Sequence, residues 1–309
     1  MPVLPDLIPA RRSAGTPVSR TLRPGPADRP QSVVIVHPGA LPASVYDRLV
    51  EQLPGECGVH LLDLQGLPQY QHAALNGGRS DLTITDIAES FAGLVRQLLR
   101  AGEEYLLLGW SFGGVIAHAM TAHLTGPLAP VHLILLDSIA AVPGYQAQVD
   151  DLDERLLLDW FCMYLGAKRG VQVQLAEGGP NTLEDVLAAM TGSGALLPGT
   201  TVAGLAKVFE VYVDGLRRNS LLTRAFHAEA SQVSATAVRA RRSLLAEPGP
   251  LGWDRICPPP VPVLTTDGDH YSMLTDTGTA ALLAALASSA LSVSSQQLVA
   301  ATGQPSTIR

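Results

Sequence analysis

Gly109-Trp110-Ser111-Phe112-Gly113-Gly114 sets a serine between two glycines, one two positions before it and one two positions after. Gly-x-Ser-x-Gly is the pattern of a sharp strand-to-helix turn that holds a serine hydroxyl clear of the backbone. The glycines are needed because a bulky side chain two positions away would clash in so tight a turn. The residues before it, Tyr105 to Leu108, read as a buried strand, and those after it, Val115 to Met120, as a helix. A helix starting at Phe112 aims backbone N–H groups and its positive dipole end at an oxygen reacting at Ser111. The implied chemistry is attack by a serine, which needs a base, and the base needs an orienting acid.

In folds built around this turn the order along the chain is serine, acid, histidine. Asp137 follows the strand Val131–Leu136 and lies 26 positions after Ser111, one helix and one strand further on. That places it at the carboxyl edge of the sheet, where sites form. His270, in Asp267-Gly268-Asp269-His270-Tyr271, follows the strand Val261–Thr265 and is the candidate base. The other seven histidines are placed less well. His118 and His123 belong to the helix after Ser111, and His60 and His132 to strands. His72 and His227 have no partner in view, and His37 shapes the turn after its strand. Asp267 also follows a strand and is a rival acid; Asp269 adjoins the base but points elsewhere if the loop is tight.

An oxyanion requires two N–H donors. One is expected from Phe112. The second is expected from His37-Pro38-Gly39-Ala40; Pro38 has no N–H, so Ala40 is the first choice and Gly39 the second. Two other patterns imitate sites. Gly77-Gly78-Arg79-Ser80 resembles a phosphopantetheine attachment sequence, but polar residues follow it and it reads as a loop. Arg239, Arg241 and Arg242 read as a solvated basic face, with a patch that meets an acidic carrier as the alternative.

The elements that must position these residues alternate. Strands are expected at Val18–Leu22, Ser32–Val36, Val59–Leu62, Tyr105–Leu108, Val131–Leu136 and Val261–Thr265. Helices are expected at Ser44–Leu53, at Ile87–Leu98 capped by Thr85 or Asp86, at Phe112–Leu124 and at Asp276–Ala287. Alternation implies a mostly parallel sheet with helices on both faces, an α/β class. Residues 145–230 break it with helical patterns only: Leu156–Leu165, Thr182–Met190 behind a Thr-x-x-Asp capping box, and Leu205–Leu216. An insertion of this kind between two strands suggests a lid, with Trp160, Phe161, Met163, Tyr164, Phe209 and Tyr212 as candidates to line an apolar wall. The division expected is a leader at 1–16, a core at 17–144, the lid at 145–230, the rest of the core at 231–290 and a tail at 291–309.

Composition narrows the class. Of 309 residues 47% are apolar, enough for a sizeable core, and 16% are charged, too few for a disordered chain. The net charge of -7 argues against nucleic acid, whose phosphates call for a basic surface. Cys57, Cys162 and Cys257 are scattered and odd in number, so neither a metal site nor a disulfide framework is expected, and a cytoplasmic setting fits. No signal peptide and no membrane span are read in the sequence.

Taken together, the motifs resemble the type I thioesterase domains that end nonribosomal peptide synthetase and polyketide synthase assembly lines, of the α/β-hydrolase superfamily. The similar segments are Leu-Arg-Pro-Gly near residue 22, Val-Ile-Val-His-Pro-Gly-Ala at 34–40, Gly-Trp-Ser-Phe-Gly-Gly at 109–114, Leu-Leu-Asp-Ser at 135–138 and Gly-Asp-His-Tyr-Ser-Met-Leu at 268–274. They span about residues 18 to 288 in the family's order. The insertion is not similar. The resemblance implies that Ser111 takes an acyl or peptidyl chain from the phosphopantetheine arm of a carrier domain. His270 would deprotonate Ser111, Asp137 would orient His270, and water or an internal nucleophile would release an acid, lactone or lactam. It implies no bound cofactor, a carrier-protein partner and a monomeric domain. The family often has Gly-Gly after its His-Pro-Ala, where Ala40-Leu41 stand here, which bears on the oxyanion donors. A discrete type II editing thioesterase, which usually takes its acid where Asp267 stands, is the alternative. A small-molecule serine esterase and a non-enzymatic binding module are further ones.

Overall fold

The computed structural model describes residues 17–26, 31–75, 81–146, 151–171, 173 and 178–302. The expected leader, the Gly77–Ser80 loop and the end of the expected tail lie outside them.

The chain runs β1 (Ser19–Arg23), β2 (Gln31–His37), α1 (Asp47–Gln52), β3 (Cys57–Asp63), α2 (Pro68–Leu75), α3 (Ile84–Leu98), β4 (Glu104–Trp110), α4 (Phe112–Met120) and β5 (His132–Leu136). Then follow α5 (Glu154–Arg169), α6 (Leu183–Gly192), α7 (Val202–Ala225), β6 (Ala235–Arg242), β7 (Val263–Asp269) and α8 (Thr277–Thr302). The strands form one seven-stranded sheet in the order β1-β3-β2-β4-β5-β6-β7. β1 is antiparallel to β3 and every other pair is parallel.

The central strands are buried on both faces, which is why they read as continuous apolar runs. Along β2, Val33 and Ile35 face one core and Val34 and Val36 the other. The first core includes residues of α1, α8 and the inserted helices; the second includes residues of α3 and α4. α3 owes its start to Thr83, whose hydroxyl accepts from the Asp86 N–H while the Asp86 carboxylate accepts from the Thr83 N–H. The cap is thus Thr83, not Thr85 or Asp86; Asp86 is the third helical residue, closing the box. α6 starts the same way on Thr182 and Asp185, as expected.

The structure differs from the sequence expectations at several further elements. Residues 235–242 form a strand, β6, inserted between β5 and β7. Its three arginines give it the composition of a surface segment. Arg239 is buried and donates to the carbonyls of Leu245, Glu247 and Gly249, whereas Arg241 pairs with Asp267 and Arg242 with Asp159. They are therefore not one solvated basic face. α4 ends at Met120 rather than Leu124, and α8 runs on to Thr302 rather than stopping near Ala287. α2 was not expected, because Pro-Gln-Tyr-Gln-His has little apolar periodicity.

Candidate active site

Ser111 sits between β4 and α4 with φ 54° and ψ -129°. A residue other than glycine rarely holds a positive φ, and such strain persists only where the surroundings enforce it. Here they do. The Ser111 N–H donates to the Leu136 carbonyl at 2.9 Å, so the end of β5 anchors the turn. A Cβ on Gly109 would lie 2.4 Å from the Gly114 Cα, and one on Gly113 would lie 2.2 Å from the Val36 carbonyl oxygen. The two glycines let helix α4 close onto β4 and β2.

His270 follows β7. Its backbone N–H donates to the Arg242 carbonyl at 3.1 Å, and its own carbonyl accepts from the Trp110 indole N–H at 2.9 Å. The residue before the serine therefore fixes the loop that carries the imidazole. The ring packs against Trp110 and Tyr271, at centroid distances of 5.2 and 4.9 Å. His270 Nε2 lies 3.0 Å from Ser111 Oγ, and His270 Nδ1 lies 2.7 Å from Asp137 Oδ2. A carboxylate on Nδ1 requires a proton there, which leaves Nε2 free to accept from the serine hydroxyl.

Asp137 stands at the end of β5 with φ 40°. Its N–H donates to the Val238 carbonyl at 2.7 Å, and its Oδ1 accepts from the Ala240 N–H at 3.3 Å. The Arg239 Nε atom is 3.9 Å from the same oxygen. Burial alone would raise the carboxyl pKa. The hydrogen bond and charge of His270, the Ser243 hydroxyl and the Arg239 charge outweigh it and hold the group below the ordinary carboxylate value. Asp137 is thus an anion at neutral pH, beside the imidazole. β6 supplies much of this setting, and its contribution was invisible from sequence because the strand itself was.

The rival carboxylates are occupied. Asp267 is exposed and pairs with Arg241 at 2.6 Å. Asp269 accepts from the N–H groups of Tyr271 and Ser272, both at 2.9 Å, and so shapes the loop instead of facing the ring. His37 holds its turn as expected: Nε2 meets the Leu41 carbonyl at 2.8 Å and Nδ1 the Tyr46 hydroxyl at 3.1 Å. That turn carries Gly39 and Ala40. Phe112 opens α4 directly after Ser111.

The inserted aromatics come together. Phe161, Tyr164, Phe209 and Tyr212 form a ring cluster with centroid spacings of 5.0 to 6.3 Å. Tyr164 reaches Tyr271 at 5.7 Å, and the Tyr212 and Tyr271 hydroxyls are 3.0 Å apart. The insertion is therefore tied to the residue next to His270. Trp160, Phe161, Tyr164 and Tyr212 are buried, whereas Phe209 is half-buried. Two surface hollows, of about 730 and 580 Å³, lie at the ends of α7 and α4, and neither is lined by Ser111, Asp137 or His270.

The family model for the thioesterase domain matches residues 31–289, a span that holds Ser111, Asp137 and His270. The chain belongs to the thioesterase domain family. Solved structures agree on the fold. This thioesterase-family chain is similar to holo-AB3403, a four-domain nonribosomal peptide synthetase (TM-score 0.58, 19% identity, 94% of this chain and 20% of that one). It is also similar to YbtT, a type II thioesterase from the yersiniabactin pathway (TM-score 0.54, 17% identity, 86% of this chain and 94% of that one). Among curated proteins it is 30% identical over 159 residues to a pimeloyl-[acyl-carrier protein] methyl ester esterase of Pectobacterium atrosepticum. That match covers 52% of each chain, so this one spans about half the length of that relative. The mostly parallel sheet and the strand-to-helix serine turn are those of an α/β-hydrolase. Among the described residues no group of His, Cys, Asp and Glu could hold a metal ion, and no helix is long and apolar enough to cross a membrane.

Proposed function

We propose that this chain accepts an acyl or peptidyl group from the phosphopantetheine thioester of a carrier protein onto Ser111. It then releases that group by hydrolysis or macrocyclisation in natural-product biosynthesis. The observation that carries the reading is the row Asp137–His270–Ser111, closed by contacts of 2.7 and 3.0 Å. In the first half-reaction Ser111 Oγ bonds to the thioester carbon as its proton passes to His270 Nε2. The negative oxygen that forms is met by the N–H groups of Phe112 and Ala40. The C–S bond then breaks, and His270 returns the proton to the departing thiol. In the second half, water or a nucleophile on the chain itself attacks the acyl-serine as His270 takes its proton; the acyl C–Oγ bond then breaks, and His270 gives that proton to the departing Ser111 Oγ.

Asp137 supplies the carboxylate at the end of β5, the placement expected of type I domains. A type II enzyme would be expected to use the position of Asp267. The inserted helices act as a lid in this reading. Their aromatic cluster shields the acyl-serine from water and so favours attack by the chain's own nucleophile.

A second reading, ester hydrolysis on a carrier-bound chain, is favoured by the similarity to the pimeloyl-[acyl-carrier protein] methyl ester esterase. Three substrates with matched acyl groups separate the two: a carrier-bound thioester, a small soluble thioester, and a carrier-bound methyl ester. Our reading expects the carrier-bound thioester to lead in kcat/KM by about 100-fold, roughly 2.7 kcal/mol of transition-state stabilisation. A preference for the methyl ester would transfer the assignment to the second reading.

A further inference from the structure

Tyr70, on α2, is fully buried and joins three separate segments. Its ring lies parallel to that of Phe112, with centroids 6.2 Å apart and 5° between the planes. Its hydroxyl is 3.4 Å from the Pro38 carbonyl oxygen, in the turn after β2. The same hydroxyl is 2.8 Å from Asn219 Oδ1 and accepts from Arg218 Nη2 at 2.8 Å, both residues of α7. The Arg218 guanidinium carbon sits 3.7 Å over the Tyr70 ring centroid.

Arg218 is 6% exposed. Its Nε and Nη1 groups donate to neutral oxygens, Asn219 Oδ1 at 3.1 Å and the Tyr70 carbonyl at 3.4 Å. A buried cation normally has a counter-charge, because leaving water is costly. Here hydroxyl, amide and carbonyl oxygens and an aromatic face take that place. The arrangement has two consequences. The phenol oxygen accepts from Arg218, which directs its one proton toward Asn219 and Pro38. The positive charge also stands beside the residue that contacts both segments expected to donate to an oxyanion.

We propose that Tyr70 is a positioning residue for the oxyanion site, set in place by Arg218 and Asn219. The proposal rests on the reading of Ser111 as nucleophile. Two donors on different segments work together only if both point at one spot within a few tenths of an ångström. Phe112 is on α4 and Ala40 is on the Pro38–Leu41 turn, and Tyr70 touches Phe112 and Pro38. α7 belongs to the three-helix insertion, so the insertion bears on the oxyanion site through this cluster.

The test is the rate at which a fluorophosphonate labels Ser111, with pH dependence and melting temperature, in the parent chain, Tyr70→Phe and Arg218→Met. The reagent places negative charge on oxygen as it reacts and needs neither carrier nor thioester. Tyr70→Phe keeps the ring and deletes the hydroxyl. Arg218→Met deletes the cation but keeps much of its volume, and because no salt-bridge partner is left behind among the described residues it strands no buried charge. Both variants should label at least about 10-fold more slowly, roughly 1.4 kcal/mol in the barrier, with the pH midpoint of labelling unchanged because His270 and Asp137 are untouched. Labelling within twofold of the parent in either variant, with the fold intact, would overturn the proposal. So would a slowed rate with a shifted midpoint, which would locate the damage in the histidine. A parent chain that does not react would remove the nucleophile reading itself.

Discussion

His270 takes its carboxylate from Asp137, 133 positions earlier in the chain and 2.7 Å away, and not from Asp267, three positions before it. Asp267 is engaged by Arg241 in solvent. Asp137→Asn should therefore lower turnover by about 10²–10⁴-fold through the wrong imidazole tautomer. Asp267→Asn should change it less than about threefold, since an exposed pair contributes little. Steady-state kinetics on one acyl thioester ranks the two, and the reverse ranking would move the acid to β7.

The serine turn has no room to spare at its glycines. Gly113→Ala would set a Cβ 2.2 Å from the Val36 carbonyl oxygen, a backbone atom that cannot rotate aside. The expected cost is about 1–3 kcal/mol, with α4 displaced from β2. Urea denaturation should show it, and fluorophosphonate labelling should slow in the fraction that stays folded. A variant with parent stability and labelling rate would mean that the turn relaxes more freely than its contacts allow.

Much of this site was legible from sequence, for definite reasons. The glycines around Ser111 reflect steric contacts within a few residues, so the local pattern carries them. Asp137 directly follows an apolar run and His270 lies a few residues beyond the short run Val261–Leu264, and strand ends on a parallel sheet share one edge. β6 was not found, since Arg239, Arg241 and Arg242 make its second half look like surface. Only the fold reveals that Arg239 is turned inward, its Nη1 and Nη2 groups donating to carbonyls of the following loop and its Nε placed next to Asp137. Tyr70 and Arg218 were equally hidden. Their meaning lies in a contact across 148 positions, which no local pattern contains.

The inserted aromatics differ in burial, and substitution should separate packing from substrate contact. Phe161 is fully buried at the centre of the ring cluster. Phe161→Ala should cost about 3–5 kcal/mol. Phe209 is half-buried at the cluster's edge. Phe209→Ala should cost less in stability and should alter the preference among acyl chain lengths on model thioesters. Denaturation curves and a chain-length series measure both. An unchanged preference would leave Phe209 as packing alone.

His118 gives the protein an acid-side liability away from the site. Burial lowers its pKa to about 4, against a smaller opposing pull from a hydrogen bond to the Ile256 carbonyl. Its ring packs against Trp253 at 5.3 Å. Between the unfolded value near 6.5 and about 4, the unfolded chain holds a proton that the folded chain lacks. Stability should therefore be full above pH about 6.5 and fall on acidification, with a slope of up to about 1.4 kcal/mol per pH unit. His118→Phe should reduce that slope, leaving the part contributed by His60 and His132, whose pKa values burial also lowers. Asp137, whose pKa is depressed, loses its contribution only at lower pH, as the medium passes through its folded value. Urea midpoints from pH 7.5 to 4.5 test this, and equal slopes in parent and variant would assign the acid sensitivity elsewhere.

Ser111 carries the central claim, and peptide mapping by mass spectrometry tests it most directly. The chain is mixed with a carrier protein loaded with an acyl-phosphopantetheine thioester, quenched in acid within the first turnover and digested. The acyl mass should appear on the peptide containing Ser111 and be absent from Ser111→Ala. That variant should keep the parent's melting temperature while losing at least about 10³-fold in turnover. An acyl group on another residue, or a Ser111→Ala chain that still cleaves the thioester at the parent rate, would contradict the account.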